Sequence, residues 1–95
     1  MPDYLFLMHN DAAGRSEDWA PYLAGLREAG VFQGGSSLGG GVCAVKSGHA
    51  REVTAHLAGY VKVRASSLEH ARELLAGNPV FEAGGTVEIR ELIQD

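Results

Sequence analysis

LAGYVKVRASSLEHARELLAGNPVFEAGGTVEIREL, residues 57–92, decides the fold of this 95-residue chain. Leu57, Gly59, Val61 and Val63 alternate with Ala58, Tyr60, Lys62 and Arg64, the period of a strand with one apolar and one polar face. Ser66 and Glu69 stand at capping-box spacing, so hydroxyl and carboxylate can each satisfy a backbone N–H at a helix start. Leu68, Ala71, Leu74 and Leu75 then recur at helical spacing and form one apolar stripe. Gly77 can take the left-handed conformation that ends a helix, and Pro79 forbids its continuation. Val87 and Ile89 alternate with Thr86, Glu88 and Arg90 as a closing strand.

Working outward, the first half repeats this scheme. Tyr4 to His9 (YLFLMH) is a nearly continuous apolar run, as expected of a central strand covered on both faces. Pro21 lacks an N–H and fits the first turn of a helix, which places that helix's start near Asp18. Trp19, Leu23 and Leu26 form its buried stripe and Gly30 stops it. Phe32 to Leu38 reads as a second strand, weakened by Gly34 and Gly35. Gly39 to Gly41 reads as a hinge or bulge and Val42 to Val45 as a short strand. A turn over Lys46 to His49 follows, and Glu52 to Thr54 could pair back as the other arm of a hairpin.

The order β-α-β-(hairpin)-β-α-β on a short chain predicts an α+β fold, with one antiparallel sheet and both helices on one face. That is the ferredoxin-like βαββαβ plan, in a single domain over residues 1–95. So small a domain buries only roughly 60–65% of its unfolded surface. The sheet face without helices needs cover, and a homodimer is the simplest way to supply it.

Composition narrows the function. A net charge of −4 gives no electrostatic attraction to nucleic acid or to an anionic membrane surface. The apolar runs fall far short of the roughly 20 residues of a membrane span. The N-terminus carries Asp3 and no basic region, unlike a signal peptide. One cysteine, Cys43, excludes an internal disulfide, and a reducing cytoplasm fits. With no basic residue nearer than Lys46, Cys43 reads as a small buried hydrophobe in its short strand rather than a nucleophile.

Gly59-Tyr60, Ser67-Leu68-Glu69-His70-Ala71, Asn78-Pro79, Gly84-Gly85 and Val87-Glu88-Ile89-Arg90 occur in the order that marks one known family. In its pattern a Gly-aromatic strand precedes a "SLEEA" helix, an "xP" turn and a "VEVRP"-type strand. The chain resembles the YCII-related proteins, well after residue 57 and loosely before it, where Trp19, Leu23, Leu26, Gly30 and Gly34-Gly35 continue the likeness. The Asp-Gly-Pro-Phe loop of one branch is missing, since Thr54 to Leu57 runs directly into Gly59-Tyr60. The resemblance implies a homodimer whose sheets face each other as a dimeric α+β barrel, with a cleft between sheet and first helix. It also implies an acid–base dyad of a His on that helix and an Asp before the turn Pro. Here those positions fall on Trp19 and Asn78. Neither an indole nor a carboxamide exchanges protons near neutral pH, although both can bind: Trp19 as an apolar wall with one N–H donor, Asn78 as donor and acceptor.

Other groups could supply chemistry. His9 and Asp11 lie at the exit of the first strand, His9 as a possible base with Asp11 orienting it. Tyr60, Lys62, Arg64, Glu88 and Arg90 read as cross-strand ion-pair partners at the dimer interface, with Arg90 also able to hold a carboxylate or phenolate ligand. His70 reads as surface. His9, Asp11, His49 and His56 have no defensible ligand spacing, so no metal is expected. Gly34 to Gly41 lacks the Gly-Lys-Ser/Thr ending of a phosphate loop, and no cofactor is expected. One aromatic, Tyr60, on an acidic chain is too few for RNA stacking. Two functions stay open: a lyase- or hydrolase-type enzyme on a small polar or aromatic acid metabolite, and a non-catalytic dimeric binding or accessory protein.

Overall fold

A computed structural model describes residues 1–13 and 18–94. The elements are β1 (Asp3–His9), α1 (Trp19–Glu28), β2 (Phe32–Ser37), β3 (Leu57–Arg64), α2 (Leu68–Glu73), α3 (Pro79–Glu82) and β4 (Val87–Leu92). The strands form one sheet in the order β2-β3-β1-β4, with every neighbouring pair antiparallel. The fold is α+β.

Strand alternation sorts the side chains. Tyr4, Phe6 and Met8 of β1 and Val61 and Val63 of β3 are buried together with Tyr22 and Leu26 of α1, Ala71 of α2, Leu75, and Val80 of α3. All three helices therefore cover one face. The intervening residues of β1, Asp3, Leu5, Leu7 and His9, are only half-buried. The apolar run of β1 is thus central in the sheet but covered on one face within the chain, because all three helices pack on the same side.

Asp18 caps α1, its carboxylate accepting the Ala20 N–H at 3.0 Å. The buried residues of α1 are Tyr22 and Leu26, with Trp19 and Leu23 packed at the margin. Tyr22 lies outside the apolar stripe expected of this helix. It is tolerated inside because its hydroxyl donates to the Leu74 carbonyl at 2.7 Å, and burial pushes that hydroxyl up to about 12. Gly30 and Gly77 adopt φ of 75° and 88°, left-handed values that turn the chain after α1 and α2.

The second half departs from expectation in three places. The N-cap of α2 is Ser67, not Ser66: its hydroxyl accepts the His70 N–H at 3.1 Å. The residue three positions on is then His70 rather than Glu69, and its Nδ1 accepts the Ser66 N–H at 2.9 Å. His70 is consequently half-buried. Leu68 becomes the first helical residue and is 52% exposed. A helical side chain covers the turn before its own Cα, and here that turn is surface loop. The Asn78-Pro79 turn, finally, opens a third short helix, α3, in which Pro79 occupies the first turn without needing a donor.

The hairpin expected over Val42–Val45 and Glu52–Thr54 does not form. After the Leu38 N–H bonds the Ala58 carbonyl, residues 39–54 make no backbone–backbone hydrogen bond among the described residues. Three successive glycines carry the chain off the sheet, and no neighbouring strand meets it. Cys43 is exposed for the same reason, with its Sγ 3.6 Å from the Glu52 carbonyl oxygen.

Candidate functional site

A cavity of about 600 Å³ opens between α1 and the β2–β3 half of the sheet. It exists because side chains are missing from its floor. Gly35 pairs with Val61, and Gly59 shares Val61's helix-facing side, so both glycines face α1. A Cβ on Gly35 would stand 2.8 Å from the Tyr60 carbonyl oxygen, and one on Gly59 would stand 3.0 Å from that of Ser36. Trp19, Leu23 and Arg27, spaced along one side of α1, form the opposite wall. Phe32, Met8 and Val80 complete the apolar lining. Trp19 is held edge-to-face against Tyr22, with ring centroids 5.9 Å apart.

His9, at the end of β1, borders this cavity, while its side chain alternates with that of Met8 and lies toward the open face of the sheet. Its Nε2 lies 3.1 Å from Glu88 Oε1. The contact follows from sheet order: Leu7 pairs with Glu88 across β1 and β4, and His9 follows on the same face. His56 meets His9 edge-on, with centroids 4.9 Å apart. Asn10 fixes that neighbour, its backbone N–H donating to the His56 carbonyl at 2.9 Å and its side-chain amide to the Ala55 carbonyl at 2.8 Å. The His9 imidazole first, and then the Arg90 guanidinium, hold the Glu88 carboxyl below the usual carboxylate range. Its folded value being depressed, the stabilisation is complete above the ordinary carboxylate range and is lost as pH falls through the lowered one. At neutral pH the imidazole therefore always faces an anion.

Of the six residues singled out from the sequence, the structure gathers His9, Trp19 and Tyr60 at this cavity. Tyr60 alternates with Gly59 and Val61, so its side chain belongs to the open face of the sheet. Asp11 lies off the wall, and its hydrogen bonds run to Thr86. Its two carboxylate oxygens take the Thr86 N–H at 2.7 Å and the Thr86 hydroxyl at 2.6 Å. Those bonds, the hydroxyl's first, lower its pKa and fasten the start of β4. Asn78 is fully buried, and its Oδ1 accepts the N–H groups of Val80 and Phe81 at 3.0 and 3.1 Å. Arg90 is exposed on the open face and bonds Glu88 at 3.1 Å. Sequence reading missed Glu88 as the partner of His9, and Arg27 and Phe32 as wall residues. Nothing local marks them, since Glu88 lies 79 residues from His9.

Among the described residues, no group of three or more His, Cys, Asp or Glu could hold a metal ion. No helix described is long and apolar enough to cross a membrane. The model of the YCII-related domain family matches residues 3–94, nearly the whole chain. The chain belongs to the YCII-related family. No curated protein and no solved structure matches it. In this YCII-related protein the positions that the family resemblance assigns to an acid–base dyad are a cavity wall, Trp19, and a buried helix cap, Asn78.

Proposed function

We propose that this YCII-related protein is a homodimeric, ferredoxin-like domain that binds a small organic molecule between α1 and the sheet. The His9–Glu88 pair moves a proton to or from that molecule, as in a lyase- or hydrolase-type reaction on a small acid. One observation carries the reading: His9, its imidazole paired with the ionised Glu88 carboxylate, borders a largely apolar cavity at the edge where β1 ends. With Nε2–H donating to Glu88, Nδ1 keeps the lone pair of a general base.

The strand order β2-β3-β1-β4 with a helix in each β-α-β half supports the ferredoxin-like reading. The open face supports pairing of two copies. Leu5 and Leu7 lie half-buried there, while the charges around them are already neutralised within the chain. Asp3 takes Lys62 at 3.7 Å and Arg64 at 3.3 Å, and Glu88 takes His9 and Arg90. Stacking such faces covers apolar surface without stranding a charge. Sedimentation should give about twice the 10.1 kDa chain mass; a 10.1 kDa particle at every concentration contradicts the pairing.

A non-catalytic binding role is the second reading, favoured by the indole at Trp19 and the capping role of Asn78. The two separate on one experiment. A thermal-shift screen of small organic acids identifies stabilising ligands, since anything that binds only the native state raises its melting temperature. In the catalytic reading, turnover of a bound ligand depends on pH across the imidazole range and disappears in His9→Ala. Binding whose pH profile is unchanged in His9→Ala removes His9 from the chemistry.

A further inference from the structure

We infer that Arg27 is the ligand's anchor and that the cavity takes a monocarboxylate with an apolar or aromatic body. This rests on the cleft reading above and adds the ligand's charge and orientation. Arg27 lies in the last turn of α1, on the cavity wall. Its Cζ sits 4.8 Å over the Phe32 ring, which fixes the plane of the guanidinium without using its N–H donors. Lys62 and Arg64 are engaged by Asp3, and Arg90 by Glu88. Among the described residues no carboxylate pairs with Arg27, and it is the one Lys or Arg on the cavity wall.

An unspent planar fork of donors beside an apolar space recognises a carboxylate, which it can hold by two parallel hydrogen bonds. The rest of the lining selects the body. Trp19, Leu23, Phe32 and Val80 offer apolar surface and Arg27 the one cation, a match for a singly charged head on an apolar body rather than for a dianion. Charge sets the direction. Arg27 is the one Lys or Arg on the wall, so the head lies there and the body runs along the apolar surface toward Trp19.

The test compares probes of equal shape and different charge: 3-phenylpropanoate with 3-phenylpropanamide, and hexanoate with hexanamide. Binding is followed by amide chemical-shift titration at low salt and about pH 7.5, where the carboxylates are ionised. Each carboxylate should bind roughly 5- to 10-fold tighter than its amide, with the preference shrinking as salt is added. Arg27→Met should erase the preference while leaving amide affinity and melting temperature nearly unchanged, because Arg27 is exposed. Arg27→Lys should keep part of it. Equal affinity for acid and amide in the wild type, or a preference that survives Arg27→Met, overturns the anchor and leaves the cleft standing. Failure of all four probes to shift resonances around Trp19 and His9 overturns the cleft reading and the anchor together.

Discussion

Val61→Asp should abolish the cooperative unfolding transition, whereas Leu68→Asp should melt within a few degrees of wild type. Val61 is 2% exposed and stands in β3, between β1 and β2 and beneath the helices. A carboxylate there has no cation within the core to pair with. Burial of an unpaired charge costs several kcal/mol, and the lost valine adds about 1.5–3 kcal/mol. A domain of this length has only about 5–14 kcal/mol in total. Leu68 belongs to the apolar stripe expected of the following helix but is half exposed at the first position of α2. An acidic residue there meets the positive end of the helix, so the change should stay within about 0.5 kcal/mol. Circular dichroism melts decide both. A folded Val61→Asp overturns the facing of β3, and a collapsed Leu68→Asp overturns that of α2.

Asn78→Ala carries the next largest effect. Its Oδ1 serves two N–H groups at the start of α3 from a fully buried position, so truncation removes a cap and strands donors inside. The expected loss is about 2–3 kcal/mol. For a chain of this size that lowers the melting temperature by about 8–20 °C. Asn78→Ser keeps an oxygen able to cap and should lose less, giving the order Asn, Ser, Ala. Ligand affinity measured well below the melt should stay the same in all three, since Asn78 lies off the cavity wall. A Kd that weakens with little loss of stability would instead make Asn78 a binding residue. The amide nitrogen, Nδ2, is buried with no hydrogen-bond partner among the described residues.

These two predictions also mark what the sequence makes legible. Strands β1, β3 and β4 and helix α1 could be placed because alternation, a capping Asp18 and the stop at Gly30 are local signals. The Ser66/Ser67 choice could not be settled that way. Either serine can cap, and the answer depends on His70 reaching back to the Ser66 N–H. Residues 42–45 have the apolar content of a strand but no neighbour to pair with, and pairing is a property of the whole sheet. The site was half legible for the same reason. His9 and Trp19 could be named as chemical types in suggestive places. Glu88 and Arg27 became part of the site only through register and helix phase, which bring β4 beside β1 and turn the last turn of α1 toward Phe32.

The cavity contains the chain's single tryptophan, so Trp19 emission reports directly on the central claim that ligands bind between α1 and the sheet. Every small acid that raises the melting temperature should change Trp19 fluorescence saturably, with the Kd obtained from the thermal shift. A stabilising ligand that saturates the protein while Trp19 emission stays flat would place binding elsewhere and contradict the account.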